Sequence, residues 1–278
     1  MSQFDEILLF CEDEANRPTV RLLLIAVQEL RREVQIAASV EPRPVGGKSD
    51  VKVRVRHARE DRKRAFGVRD RDFLERKLLD EQRRRALLID SKFADAWPLR
   101  RHCVESYLIE PAFLASVLGR TEAEWQGMLD ELATARRWPD LVRAALTDVR
   151  WQMSRLDWPH ASASVSTRDE AFAEISTQCA EMARVAGEAL DTGRVRAKLE
   201  ALELDFTADG PLSLRVDGRG LLKALGARLK QEGREPKAGL LDALLSHAER
   251  HGYPRPLLEE VRELLLGIQA SLGIKMTS

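Results

Sequence analysis

Residues 65–77 read AFGVRDRDFLERK, and they decide the fold class. Ala65-Phe66-Gly67-Val68 is a short apolar run, bounded as a buried strand is. It ends in Asp70-Arg71-Asp72, and an Asp-x-Asp on extended chain sets two carboxylates on one side. The same texture recurs on either side. Residues 7–11 (ILLFC) form a compact apolar run closed by Glu12-Asp13-Glu14, and Pro18 suits the first turn of a helix over 18–25. Residues 34–39 predict a second strand, followed by a Pro/Gly loop. Ser49 is placed to cap a helix to about residue 59, although Val51, Val53 and Val55 alternate with basic residues as a strand does. Residues 86–89 (ALLI) predict a fourth strand. Strands alternating with helices imply an α/β fold with a mostly parallel sheet covered on both faces.

Beyond Pro111 the pattern becomes helical. Helices are expected over 122–135, 141–156, 169–190, 220–231, 237–251 and 256–272, with loops at 159–164 and 207–218. The organisation this predicts is an α/β domain over 1–115 and a helical domain over 116–278.

The 278 residues suffice for one large domain or two ordinary ones. Charge balances overall, 45 basic against 45 acidic. Locally it does not: between Lys48 and Arg101 stand 18 Lys and Arg against 10 Asp and Glu, an excess suited to a polyanion or to a solvated basic surface. Cys11, Cys103 and Cys179 are too few and scattered for a disulfide framework, which points to a reducing cytoplasm. The N-terminal stretch carries acids and no basic segment ahead of its apolar run, and no apolar stretch is long enough to span a membrane. A soluble cytoplasmic protein without a membrane partner is expected.

Acids after two neighbouring parallel strands would meet in the crevice beyond the strands' carboxyl ends. Close carboxylates repel unless protons or a cation intervene, and an all-oxygen donor set suits Mg²⁺ or Mn²⁺. Other motifs are weaker. Pro42 to Ser49 (PRPVGGKS) imitates a phosphate-binding loop, but proline stands where glycine is required. His247 and His251 are one helical turn apart, spaced for zinc, without an evident third ligand. His102 and Cys103 are sequence neighbours expected to point apart. The tryptophans are expected in packing rather than as a base-stacking platform.

An acid after the first strand, then a strand ending in Asp-x-Asp, resembles the Toprim domain of topoisomerases, bacterial primases and overcoming-lysogenization-defect (OLD) nucleases. GVRDRDF, WPLRRHCVESYLIEP and VDGRGLLKAL more closely resemble OLD-related Toprim proteins of the DUF4435 type. The resemblance implies a metal site of Glu12, Asp70, Asp72 and Glu105, with Glu12, Asp70 and Asp72 catalytic. It further implies a divalent-metal-dependent nuclease acting on DNA or RNA, tRNA included, as an anti-phage effector with an ATPase sensor partner. Homodimerisation is a further expectation. Lys48, Arg69, Arg71, Arg100 and Arg101 are the candidates for binding the nucleic-acid backbone. Three departures stand out. The first motif lacks its glycine and has Asn16 for an aspartate, which leaves Glu12 or Glu14 as the metal-facing acid. Ser106 replaces an asparagine, and Arg219 replaces a lysine. The alternative is a catalytically degenerate scaffold that binds nucleic acid or a partner protein.

Overall fold

The computed structural model describes residues 6–12, 18–34, 36, 38–71, 76–89, 94–153, 168–207 and 216–273. The element order is β1 (Glu6–Cys11), α1 (Pro18–Glu33), β2 (Ser39–Pro44), α2 (Lys48–Glu60), β3 (Arg64–Arg69), α3 (Arg76–Ala86), β4 (Trp97–Pro98), α4 (Glu105–Leu108), α5 (Pro111–Leu118), α6 (Glu122–Met153), α7 (Arg168–Ala189), α8 (Thr192–Thr207), α9 (Gly218–Gln231), α10 (Leu240–His251) and α11 (Arg255–Ser271). The four strands form one parallel sheet in the order β2-β1-β3-β4. The α/β class with a parallel sheet is therefore as expected. Among the described residues no helix is long and apolar enough to cross a membrane.

Alternation along β1 buries side chains on both faces of the sheet. Leu8 and Phe10 join Val51, Val55 and Ala58 of α2 in one apolar cluster, while Ile7, Leu9 and Cys11 are buried on the other face. The ambiguous valines belong to a helix: Val51 and Val55 are buried one turn apart, and Val53 is exposed. Gly67 sits where α2 crosses β3. A Cβ there would lie 2.7 Å from Val51 Cγ1 and 3.1 Å from both Val55 Cγ2 and Ala96 Cβ, so the missing side chain lets the helix rest on the strand.

Three expectations fail for physical reasons. The second strand lies further along than residues 34–39, which meet it only at Ser39; β2 is Ser39–Pro44 and contains Pro42 and Pro44. It lies at the sheet edge, where proline's missing N–H costs little. Residues 86–89 are not the fourth strand. Ala86 ends α3, and Leu88 and Ile89 are each 47% exposed; the edge strand is instead Trp97–Pro98, paired to Val68 and Arg69. The helices expected over 122–135 and 141–156 are one, α6, which runs through Pro139. The loop expected at 159–164 and most of the one at 207–218 lie outside the described residues.

The chain divides into two compact units, residues 1–136 with 211–278, and residues 137–210. In the first, α11 packs on α1 and its buried Glu260 (3% exposed) reaches the sheet edge. Glu260 Oε1 accepts from Trp97 Nε1 (3.0 Å), and its Oε2 accepts from Tyr107 Oη (3.0 Å) and the Arg100 amide (3.2 Å). Arg83 ion-pairs with Glu260, donates Nε to the Pro98 carbonyl (3.1 Å) and lies 4.2 Å from the Trp97 ring centroid. Burial pushes the Tyr107 hydroxyl up to about 12, so it remains a donor to Glu260. In the second unit, α6 exposes Trp138, Val142 and Leu146 at one-turn spacing, so Trp138 does not pack as expected.

Gly67→Ala should lower stability by about 1–3 kcal/mol through overpacking against Val51 and Val55, and Val51→Ala combined with it should recover part of the loss in thermal melting. A second expectation concerns acid. Burial raises the Glu263 carboxyl, but hydrogen bonds from Arg100 and the charge of Arg83 outweigh it and hold it below the usual value of 4.5. Its stabilisation is present above pH 4.5 and lost as pH falls through the lower folded value. The melting temperatures of wild type and Glu263→Gln should therefore converge as pH falls from above 4.5 to below the lowered folded value.

Candidate metal centre

Three segments supply the acids, linked in series, and their carboxylate oxygens do not all gather within 4.8 Å of one another. Glu12 directly follows β1, where its amide donates to the Val68 carbonyl (3.0 Å) and prolongs the ladder with β3. Asp70 directly follows β3. Its backbone N–H donates to Glu12 Oε2 (3.1 Å), so the two strand ends are tied by the residues expected to share a cation. Glu105 is the first residue of α4 and is 5% exposed.

Arg219, from the first turn of α9, closes the group. Its Nε donates to Glu105 Oε1 (2.7 Å) and its Nη2 to Asp70 Oδ2 (3.3 Å). Burial lowers the Arg219 guanidinium pKa, but the Glu105 and Asp70 carboxylates outweigh that and raise it above the ordinary arginine value, so it stays cationic throughout the working pH range. Its position is set by Asp217, whose side chain caps α9 by accepting from the Arg219 amide (3.1 Å). Glu105 Oε2 is buried, and the Cys103 thiol is a hydrogen-bond neighbour of the same carboxyl group. A buried carboxylate oxygen is costly unless a hydrogen bond or a cation takes it, and the surrounding donors are oxygens of the kind that hold Mg²⁺ or Mn²⁺.

Asp72, Asp13 and Glu14 lie outside the described residues; among the described ones, Glu12 is the first-motif acid bonded to Asp70. The basic candidates separate by environment. Arg69 is 3% exposed; it donates Nη1 to the Asp70 carbonyl (3.0 Å) and Nη2 to Gln82. Arg101, also buried, donates Nη1 to the Ser106 carbonyl (2.8 Å), pairs with Glu110 and lies over the Tyr107 ring. Arg100 is 55% exposed in its side chain and pairs with Glu263 (2.8 Å). Arg71 donates Nη1 to the Arg100 carbonyl (3.0 Å). Lys48 opens α2, and its side chain is outside the described set.

A cavity of about 410 Å³ opens beside the acids, lined by Glu105, Arg219, Leu222, Lys223, Glu235 and Leu240 among others. Its apolar wall comes from α9 and α10, and its charged mouth is continuous with the Arg219 pair. The sequence offered little warning of Lys223 or Asp217. Arg219 stood out as the departure from a lysine, with a glycine on either side.

The other motifs resolve more simply. The Gly47 amide donates to Asp50 Oδ2 (3.0 Å), so a donor at the start of α2 is spent on its own helix rather than on a phosphate. His247 and His251 rings lie 4.6 Å apart, with Phe113 edge-on to His247, near the end of α10 before Gly252. The Cys103 thiol is raised well above its usual value by burial, then by the Glu105 and Asp70 charges, which makes it a poor nucleophile. No family model, curated protein or solved structure matches the chain.

Arg219→Ala and Glu105→Gln should each lower stability, and the double variant should lose less than their sum by about 1–2 kcal/mol. Denaturant melts at pH 7 check this; additive losses would mean that the ion pair contributes nothing.

Proposed function

We propose that the chain is a divalent-metal-dependent nuclease of the OLD-related Toprim type, cleaving phosphodiester bonds in nucleic acid as a cytoplasmic anti-phage effector with an ATPase sensor partner. One observation carries this reading: Glu12 and Asp70 directly follow neighbouring parallel strands and are tied by the Asp70 amide, and Arg219 links Asp70 to the buried Glu105. Glu12, Asp70 and Glu105 would hold Mg²⁺ or Mn²⁺, joined by Asp72 on the strength of the resemblance. Such an ion supplies a water of lowered pKa and neutralises charge developing on the phosphate.

The chain's own residues divide the remaining work. The Asp70 amide orients the Glu12 carboxylate. Arg219, 42% exposed in its side chain, offers a guanidinium to phosphate, where fixed charge stabilises the transition state. Lys223 lies one helical turn further along α9 and lines the neighbouring cavity, which has the size to receive a nucleotide unit. Arg71 and Arg100 lie at the same sheet edge for the flanking backbone.

One observation favours the alternative of a metal-free scaffold. Arg219 already bridges two of the acids, and a permanent guanidinium can neutralise the site without a metal. Thermal melting of wild type and Asp70→Asn, each with EDTA and with Mn²⁺, alongside cleavage assays on DNA and RNA, decides between them. The nuclease predicts a Mn²⁺-dependent rise in wild-type melting temperature that Asp70→Asn lacks, and cleavage reduced at least about a hundredfold. Without metal the two proteins should melt within about 2 °C, since the lost Arg219 contact offsets the relieved repulsion. Identical metal responses and equal cleavage would overturn the nuclease, while nucleic-acid binding without cleavage or metal response would establish the scaffold.

A further inference from the structure

His102, Cys103 and Asp217 bring one ligand atom each within 4.8 Å of one another, and we propose that they form a second metal site, selective for zinc, distinct from the carboxylate group. Consecutive residues on regular strand would point apart. Residues 100–103 are bends before α4, and the irregular backbone turns both side chains toward the start of α9. His102 Nδ1 stands 3.9 Å from Asp217 Oδ1.

The surroundings are built to admit this convergence. Two glycines flank Arg219 in the first turn of α9, where glycine is unfavourable for helix formation. A Cβ on Gly218 would collide with Ser106 Oγ and lie 2.9 Å from Cys103 Sγ; one on Gly220 would strike the Arg136 guanidinium. Their absence lets the thiol and Arg136 approach Asp217, which Arg136 faces at 3.7 Å. The Cys103 sulfur also meets Ser106 Oγ at 3.4 Å, so both the carboxylate and the sulfur have outer partners that orient them.

A thiolate, an imidazole and a carboxylate are a borderline-soft set that favours Zn²⁺ over Mg²⁺ or Mn²⁺. Three protein ligands leave a fourth position for water. On binding, the Cys103 S–H proton passes to solvent and the sulfur–metal bond replaces it; a dication overrides the surrounding negative charge that otherwise favours the thiol. The bound ion would pin the loop before α4 to the α9 cap. Glu105 and Arg219 each sit within two residues of a ligand, so the zinc would fix their spacing.

The test uses the full chain, stripped with chelator and titrated with Co²⁺ as a spectroscopic stand-in, then with Zn²⁺ in competition. Wild type should develop tetrahedral d–d bands and a thiolate-to-cobalt charge-transfer band at one equivalent, and Zn²⁺ should bleach both. Cys103→Ser should abolish the charge-transfer band and weaken binding at least tenfold. Asp217→Asn retains a capping side chain, so it tests the ligand without removing the helix cap, and should also weaken binding at least tenfold. Asp70→Asn should leave the cobalt spectrum unchanged, which separates this site from the carboxylate one. A spectrum without charge transfer in wild type, or one untouched by Cys103→Ser, would overturn the proposal.

Discussion

A single buried carboxylate sets the frame in which the acids meet. Glu260 on α11 takes hydrogen bonds from Trp97 of β4, Tyr107 of α4 and the Arg100 amide between them, and pairs with Arg83 of α3. A buried charge is tolerated when it is paired and fully hydrogen-bonded, and removing one partner strands the others. Because α11 lies against α1, this group fastens the last helix of the chain to a two-residue edge strand too short to hold itself. It thereby fixes the turn from which Glu105 emerges.

The same economy accounts for part of the basic excess around the Asp-x-Asp. Arg59, Arg69, Arg83 and Arg101 are all buried, where their guanidiniums hold carbonyls, aromatic rings and carboxylates. Arg59, for example, donates Nε to the Ala65 carbonyl at 2.9 Å and lies over Phe66. Four of the 18 basic residues between Lys48 and Arg101 are thus internal scaffolding for β3 and β4 rather than part of a polyanion-facing surface. What remains at the sheet edge is narrower: Arg71, Arg100 and the half-exposed Arg219, beside a cavity that also carries Lys223.

The strands that carry acids were legible because their apolar runs are continuous and end abruptly in charge, as at Cys11-Glu12 and Arg69-Asp70. The edges were not. Pro42 and Pro44 look like loop residues, yet on an edge strand their missing donors face no neighbour. Ala86 to Ile89 is as apolar as a strand, but its first residue closes α3 and its last two face solvent. The helical patterns over 122–135 and 141–156 looked like two helices, where one runs through Pro139. Arg219 lies 114 residues from Glu105, and nothing local to Gly218-Arg219-Gly220 announces a carboxylate partner. The convergence of His102 and Cys103 was equally hidden, since it depends on an irregular turn that periodicity does not encode.

The proposed nuclease needs a cation joining Glu12, Asp70 and Glu105, and that cation's location is directly observable. Metal-free crystals of the full chain, soaked in Mn²⁺ and measured across the manganese absorption edge, should give an anomalous peak within bonding distance of Glu105 Oε2 and of a carboxylate oxygen from Asp70 or Glu12. An Arg219 guanidinium still bridging Glu105 and Asp70, with no anomalous peak beside them, would contradict it.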